Sequence, residues 1–214
     1  RKDQTYALYN LTQDQLSKTL MPVGDYTKDE IRQMAEEMGL LVASKPDSQD
    51  ICFIPDGNYQ KFLYDYTGKK LPKGHFVDKD GKVLGTHEGI THYTIGQRKG
   101  LNLSMGHPVF VTEIRPETNE VVIGSGSDVF DSALEASQVN WMSIPEPKPG
   151  EKIRVQAKVR YAHQGAGAVV YMTEDGRLIC EFDEPQRAIT PGQALVMYDG
   201  DYVVGGGIID SVRR

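Results

Sequence analysis

The chain has 214 residues, with 24 Lys and Arg against 30 Asp and Glu, which gives a net charge of −6. This acidic balance argues against indiscriminate nucleic-acid binding but leaves room for a local basic face. No apolar run approaches the ~18 residues that a membrane span needs, and two cysteines are too few for a disulfide framework or a cysteine-only zinc site. We therefore expect a globular, cytoplasmic protein with one large or two small domains and no membrane partner.

The N-terminal part of the chain has helical periodicity. Thr12 precedes a first predicted helix at 13–20, and Thr27 and Glu30 have the spacing of a capping box that begins a second. A third helix is predicted before Gly68. In the last two helices apolar residues recur at helical spacing, and we expect both stripes to be buried in a core. The stripes are Ile31, Met34, Ala35 and Met38, and Tyr59, Phe62, Leu63 and Tyr66.

After Gly68 the apolar period changes to two, which is typical of β-strands. Asp80-Gly81 predicts a hairpin turn, and residues 142–150 predict a loop. The triplet from Gly205 to Gly207 predicts a bulge or a close backbone approach. Short, closely spaced strands favour a small barrel or sandwich. The predicted strands are 75–78, 82–84, 109–115, 120–123, 152–161, 167–172, 177–182, 194–198 and 202–209.

Domain boundaries are predicted near residues 55 and 130. The piece 1–55 is helical, the piece 56–130 is mixed, and the piece 131–214 is all-β. This order of elements predicts an α+β multidomain chain that ends in an antiparallel β-barrel.

The two cysteines have different surroundings. Cys52 follows a polar run in a short apolar segment, where a thiolate can act as a nucleophile or sulfur carrier. A buried thiol that behaves as a small hydrophobe is the alternative. Cys180 lies within a strand pattern, and there we expect the inert form.

Metal and phosphate motifs are scarce in the sequence. The histidines at 75, 87, 92, 107 and 163 lack zinc-ligand spacing, so we expect surface or loop positions and no metal. No glycine-rich ATP loop is present. The segment 93–100 sets Gln97, Arg98 and Lys99 between two glycines. It predicts either a loop that presents N–H groups and cations to phosphate or a turn with solvated charges.

A basic stripe is predicted on the strand at 152–161. Its polar residues alternate with apolar ones, so the strand geometry places four cations on one face. Such a stripe favours contact with nucleic-acid phosphates, and a solvated barrel exterior is the alternative. The cations are Lys152, Arg154, Lys158 and Arg160.

Five ordered blocks resemble the family of bacterial tRNA-specific 2-thiouridylases, the MnmA family, over the whole chain. They are Lys2-Asp3-Gln4, the segment Asp50 to Ile54, the segment Tyr93 to Leu101, Thr190-Pro191-Gly192-Gln193, and the segment Gly205 to Ile209. By this resemblance the chain corresponds to the central and C-terminal part of the enzyme. The helices would be the end of an α/β ATP-pyrophosphatase domain, and the start without Met fits the expectation that the rest of that domain precedes Arg1.

The resemblance implies the reaction and the sulfur-carrying residue. The family uses ATP to adenylate the oxygen on carbon 2 of the wobble uridine, and a cysteine persulfide then delivers sulfur to that carbon. Cys52 matches the persulfide cysteine. A second family cysteine, which forms a disulfide with the first, and the ATP site would belong to the missing domain. The expected partners are tRNA and a persulfide donor, either a cysteine desulfurase or a sulfur-relay protein.

The resemblance also assigns tRNA contacts, mainly to phosphate, shape and splayed bases. The matching positions are Lys2, Asp3, Gln4, Arg160, Tyr161 and Gln193. Arg160 also belongs to the basic stripe, whereas strict alternation would place Tyr161 on the opposite face. Two alternatives remain: a non-catalytic tRNA-binding module when the chain is isolated, and, more remotely, a cysteine hydrolase built on Cys52 and a histidine.

Overall fold

A computed structural model describes residues 4–44, 54, 57–69 and 72–213 of the chain. The contacts divide the chain into two compact units, Asp14–Lys70 and a larger one that combines Arg1–Gln13 with Leu71–Arg214. Cys52, Lys2 and Asp3 lie outside the described residues.

The described helices are short, and capping residues set their ends. They are α1 (Thr5–Leu8), α2 (Gln13–Ser17), α3 (Lys28–Glu37) and α4 (Tyr59–Thr67). The predicted capping box of α3 is confirmed, since the side chains of Thr27 and Glu30 each accept a backbone N–H of the other residue. At α4, Asn58 accepts the N–H of Lys61, and Gly68 ends the helix in the left-handed conformation.

The predicted burial of the two helical stripes is wrong. No residue of α3 or α4 is buried in the described structure, and Met38 and Tyr66 are 73% and 81% exposed. Amphipathic spacing creates an apolar face, but burial also needs a surface that covers that face. The first predicted helix is also shorter than expected, because α2 ends at Ser17 rather than at residue 20.

The larger unit begins its β structure with a mixed four-stranded sheet. Its strands are β1 (Gly74–Val77), β2 (Val83–His87), β3 (Phe110–Arg115) and β4 (Glu120–Gly124), in the order β2-β1-β4-β3. β1 and β4 are parallel, and the other pairs are antiparallel. The hairpin predicted at Asp80-Gly81 is confirmed, since it joins β1 and β2, and a short 3-10 helix follows at Ile90–His92. The apolar core contains Phe76, Leu101, Val109, Val111, Val121 and Ile123.

The second sheet is a closed antiparallel barrel in the order β10-β5-β8-β7-β6-β9. Its strands are β5 (Phe130–Trp141), β6 (Ile153–Lys158), β7 (Ala166–Met172), β8 (Leu178–Arg187), β9 (Ala194–Asp199) and β10 (Tyr202–Arg213). Alternate residues point inward and form one core, which includes Leu134, Val170, Leu178, Leu195 and Met197. The predicted fold class is confirmed: few helices, a mixed sheet and a C-terminal antiparallel barrel.

The segment around α1 packs on the outside of the barrel. Tyr9 forms a buried cluster with Val196 and Tyr198 of β9, and the Asn140 amide donates to the carbonyls of Tyr9 and Leu11 at 2.7 and 3.0 Å. A Cβ on Gly206 would lie 2.5 Å from the Tyr9 ring. Glycine is therefore needed at this crossing, which confirms the predicted close approach.

No helix in the described part of the chain has both the length and the apolar character needed to cross a membrane.

Candidate nucleic-acid interface

Four of the predicted tRNA-contacting residues can be located, and all four lie in the larger unit. Arg160 and Tyr161 lie in the turn that follows β6, Gln193 immediately precedes β9, and Gln4 precedes α1. Because β6 ends at Lys158, strand alternation no longer governs Tyr161, and the two neighbouring residues can face one surface. The predicted strand at 152–161 is therefore too long at its C-terminal end.

A cavity of about 360 Å³ opens at this end of the barrel. It brings the predicted contacts Arg160 and Gln193 together with two residues of the 93–100 loop and with the end of β8. Its lining residues are Thr94, Ile95, Val159, Arg160, Arg187, Ala188, Thr190 and Gln193.

Backbone geometry fixes the position of Arg160. Its guanidinium donates to the carbonyl oxygen of Arg187 at 2.8 Å. The next residue, Ala188, has a φ of 56°, a left-handed conformation that costs a non-glycine residue free energy. Its N–H is held by the Val129 carbonyl at 2.6 Å, and its carbonyl accepts the Thr190 hydroxyl at 3.0 Å. This strained corner gives the cavity a rigid wall, as is common at functional sites.

Arg187 joins the 93–100 loop to the barrel. Its guanidinium donates to the Gly96 carbonyl at 3.2 Å and lies 5.6 Å from the centroid of the Phe110 ring. A Cβ on Gly96 would lie 2.8 Å from the Cβ of Ala188, so the loop and the strand end are in close contact there. No local pattern around Arg187 predicted this position.

Three backbone N–H groups of the loop already donate hydrogen bonds to other groups of the protein. The N–H of Gly96 donates to the Val111 carbonyl at 2.7 Å, that of Gln97 donates to the Thr94 carbonyl at 2.9 Å, and that of Thr94 donates to the Gln97 side chain at 3.0 Å. These groups cannot also bind phosphate. The loop therefore supplies a cavity wall rather than a cradle of amides, which corrects that prediction for these three positions.

Aromatic residues border the cavity end. The Tyr6 and Tyr161 rings meet edge to face at 6.0 Å, and the Tyr6 hydroxyl donates to the Ala194 carbonyl at 2.7 Å. Burial, with smaller contributions from Tyr9 and Tyr198, raises the pKa of Tyr6 to about 12, against a weaker opposite effect of Arg160. Tyr6 is therefore a protonated hydrogen-bond donor at neutral pH. Tyr161 remains 46% exposed and can offer a ring to a base.

Acidic side chains on β8 neutralise part of the predicted basic stripe. Its four cations do face outward, but Arg154 pairs with Asp183, and Lys152 lies 3.9 Å from a Glu181 carboxylate oxygen. Lys158 instead lies over the Tyr198 ring, 5.1 Å from its centroid. Among the described residues, Lys158 and Arg160 form no ion pair with a carboxylate. Only the half of the stripe nearest the cavity is free to meet phosphate.

One histidine, His87, departs from the predicted surface or loop positions, whereas His163 keeps a loop position but is partly covered. His87 is 2% exposed and packs between the rings of Phe76 and Tyr93, with its Nδ1 accepting the Gly89 N–H. His163 is half-buried, and its Nε2 lies 2.9 Å from the Gln186 amide oxygen. Burial lowers the pKa of both imidazoles.

The prediction for Cys180 is confirmed. Its thiol is fully buried in the barrel core, and burial raises its pKa far above the ordinary range, so it does not supply a thiolate. Within the described residues, no group of three or more His, Cys, Asp and Glu side chains could hold a metal ion.

Three family models match the chain in sequence order. They are described as a tRNA methyl transferase HUP domain at residues 1–56, a tRNA methyl transferase PRC-barrel domain at 60–125, and an aminomethyltransferase beta-barrel domain at 131–209. The last match coincides with the closed barrel.

Curated relatives with the name tRNA-specific 2-thiouridylase MnmA align with nearly the whole chain. The protein of Lachnoclostridium phytofermentans is 61% identical over 97% of this chain, that of Acetivibrio thermocellus 54% over 98%, and that of Clostridioides difficile 51% over 98%. In each case the chain spans 58% of the relative's length. The chain therefore belongs to the MnmA family of tRNA-specific 2-thiouridylases and covers part of the length of its members.

Proposed function

We propose that this chain is the part of a tRNA uridine 2-sulfurtransferase that docks the tRNA and carries the sulfur-transferring cysteine. The observation that carries the proposal is the convergence of Arg160 and Gln193 at one end of the barrel, where both line a cavity that contains a second arginine, Arg187. The adjacent pair Arg160 and Tyr161 and the distant Gln193 come from two separate segments of the sequence. The resemblance assigned them to tRNA independently of this geometry.

The charge distribution supports tRNA as the partner. The chain has a net charge of −6, yet Lys158 and Arg160 form no carboxylate ion pair among the described residues. Exposed cations that no carboxylate neutralises are available to contact RNA phosphates. Tyr161 adds an exposed ring, which suits an unpaired base.

The sulfur chemistry is assigned to Cys52. The terminal sulfur of a Cys52 persulfide forms a bond to carbon 2 of the uridine, and the bond from that carbon to its oxygen breaks as the oxygen leaves with AMP. A second thiol then attacks the remaining S–S bond and forms a disulfide with Cys52, which supplies the two electrons that the transferred sulfur needs. Cys180 does not fit this role because it is buried and protonated.

The roles of ATP and of the sulfur donor in this proposal are inferred from the family resemblance. ATP activates the oxygen of the uridine as a leaving group, and no described residue of this chain is assigned to the nucleotide. The match of residues 1–56 to a HUP domain supports ATP use by the whole enzyme. A cysteine desulfurase or a sulfur-relay protein would load the persulfide.

A cysteine comparison tests the catalytic assignment. In a full-length 2-thiouridylase that contains this chain, Cys52→Ser is expected to abolish 2-thiouridine, measured by mass spectrometry of digested tRNA, and to leave tRNA binding intact. Cys180→Ala is the matched control and is expected to keep thiolation. Normal thiolation by the Cys52 variant would refute the persulfide role.

A second candidate function is a tRNA-binding module without catalysis when the chain is isolated. It is favoured because two of the located candidate residues, Arg160 and Gln193, line one cavity. The thiol of Cys180, in contrast, is buried and protonated. The isolated chain is then expected to bind tRNA in a salt-dependent manner and to produce no 2-thiouridine when supplied with ATP and a persulfide donor.

A further inference from the structure

We infer that the cavity between the 93–100 loop and the barrel binds one phosphate of the tRNA backbone together with its ribose, and that Arg187 is a phosphate-binding residue alongside Arg160. This inference rests on the proposed function and extends it, since it adds Arg187 and the loop residues Thr94 and Ile95 to the docking surface and names the chemical group that they hold.

The guanidinium groups of Arg160 and Arg187 keep N–H donors that a ligand can use. Arg160 uses one N–H on the Arg187 carbonyl, and Arg187 uses one on the Gly96 carbonyl. A guanidinium has five N–H donors in a planar fork, and this geometry matches two phosphate oxygens. Neither arginine forms an ion pair with a carboxylate in the part of the chain that the structure describes. The site therefore combines two positive charges without neutralising them.

The lining of the cavity offers apolar and polar groups besides the two arginines. Ile95, Val159 and Ala188 form apolar walls against which a ribose can pack. The Thr190 hydroxyl oxygen and the Gln193 amide add polar groups that suit sugar hydroxyls.

The site is held in place before any ligand arrives. The left-handed backbone at Ala188 and its hydrogen bond to the Val129 carbonyl fix the carbonyl of Arg187, which in turn holds Arg160. The Gly96 carbonyl and the Phe110 ring hold the side chain of Arg187. Such preorganisation lowers the entropy cost of binding, because neither arginine has to be ordered by the phosphate.

The test compares two charge-removing variants of the full 214-residue chain. Arg187→Gln removes a cation of the cavity. The matched control Arg154→Gln removes a cation from the same barrel that is already paired with Asp183. Binding of an unmodified tRNA transcript with a wobble uridine is measured by fluorescence anisotropy from low to high salt, and circular dichroism checks that each variant is folded.

The two variants are expected to differ in affinity and in salt dependence. Arg187→Gln should weaken binding about fivefold to tenfold at low salt and lower the slope of log K against log salt by roughly 0.7–0.9, the loss of one phosphate contact. Arg154→Gln should change affinity by less than about twofold, since its charge is compensated. Equal effects of the two variants would overturn the inference, whereas a wild-type chain that fails to bind tRNA at all would overturn the proposed function itself.

A second variant avoids any loss of the Arg187 contacts. Ile95→Glu leaves both arginines in place but adds a carboxylate to the cavity wall, and it should reduce tRNA affinity at least as much as Arg187→Gln. Unchanged affinity of a folded Ile95 variant would contradict the inference. AMP serves as a competitor of tRNA in a further test. If AMP displaced tRNA at concentrations well below the salt concentrations used, and if this displacement were lost in Arg187→Gln, the inference would also be contradicted, because the site would then belong to a free nucleotide.

Discussion

Two regions of the barrel's outer surface carry similar numbers of cations but use them differently. On the face of β6, β7 and β8, Arg154 pairs with Asp183 and Lys152 approaches Glu181. At the end of the barrel, Arg160 and Arg187 donate only to backbone carbonyls, according to the contacts of the described residues. The difference shows that a run of basic residues on one strand can be partly neutralised by acidic residues on a nearby strand.

The geometry of a single glycine explains how the first region is neutralised. Gly167 of β7 lies between the partners, and a Cβ there would be 2.8 Å from a guanidinium nitrogen of Arg154 and would collide with the Asp183 carboxylate. The missing side chain lets Arg154 reach across β7 to β8. At the cavity end no such bridge exists among the described residues, so the cations stay available.

The largest expected effect comes from breaking the contact between β10 and the segment around α1 at Gly206. In Gly206→Ala the new methyl group would lie 2.5 Å from the Leu195 carbonyl oxygen and from the Tyr9 ring. We expect a loss of about 1–3 kcal/mol in the free energy of unfolding, as for other overpacked sites, and toward the upper end of that range because both neighbours are so close. Denaturant titration measures this loss. Gly126→Ala, where the nearest atom is 3.4 Å away, should be nearly neutral, and equal losses would contradict the account.

A smaller effect is expected at the contact between the loop and the barrel. Gly96→Ala combines a φ of 84° with a distance of 2.8 Å to the Cβ of Ala188. Gly100→Ala has a similar φ of 78° but its nearest neighbour is 3.8 Å away. Both should lose about 1 kcal/mol from backbone strain, and only Gly96→Ala should also weaken tRNA binding, since it displaces the acceptor of Arg187. Similar tRNA affinities for the two variants would refute the role of this contact.

Acidification should destabilise the chain through the imidazoles of His87, which is buried, and His163, which is half-buried. Burial lowers the pKa of His87 and His163 below the ordinary histidine value of 6.5, and Arg160 and Lys158 act in the same direction on His163. The folded state therefore favours the neutral imidazoles, and it has its full stability at pH values above the pKa of histidine in the unfolded chain. This stability is lost as the pH falls through 6.5 toward the lower pKa values of the folded state. Urea unfolding at pH 7.5 and at pH 5.5, roughly one unit above and one unit below the ordinary histidine pKa, checks the sign of this pH dependence.

His163→Gln sharpens the same comparison, because His163 lies at the cavity end. The variant should show a smaller loss of stability on acidification than the wild-type chain. A pH dependence identical to wild type would show that His163 does not contribute.

The smallest effect is expected in the neutralised region. Arg154→Gln should leave the midpoint of thermal unfolding nearly unchanged, because an exposed ion pair contributes little to stability. A large drop in the midpoint, measured by calorimetry, would show that this face is structurally more important than its exposure indicates.

Much of the fold could be predicted from local patterns. The capping box at Thr27 and Glu30, the hairpin turn at Asp80-Gly81 and the period-two strands all depend on residues close in sequence, and the structure confirms them. β5 was missed because its pattern is broken: the register shifts between Asp131 and Ala133, and Gln138 has a φ of 51°. Bulges of this kind interrupt the alternation that identifies a strand.

The candidate site was only partly predictable because its parts are distant in sequence. Arg160 and Gln193 came from the family resemblance, but Arg187 has no local signal, and its partner Gly96 is 91 positions away. The pairing of Arg154 with Asp183 spans 29 positions and could not be inferred from alternation on one strand. The buried position of His87 likewise depends on Phe76 and Tyr93, which only the folded sheet brings around it.

The most direct test of the account is the salt dependence of tRNA binding by Arg160→Gln and Arg154→Gln. Both variants remove one charge from β6 or the turn that follows it, so their net charges are equal. The account predicts a lower affinity and a salt slope reduced by about 0.7–0.9 for Arg160→Gln, with wild-type behaviour for Arg154→Gln. The reverse order, or the same small change in both, would contradict the claim that the cavity end of the barrel is the tRNA-docking surface.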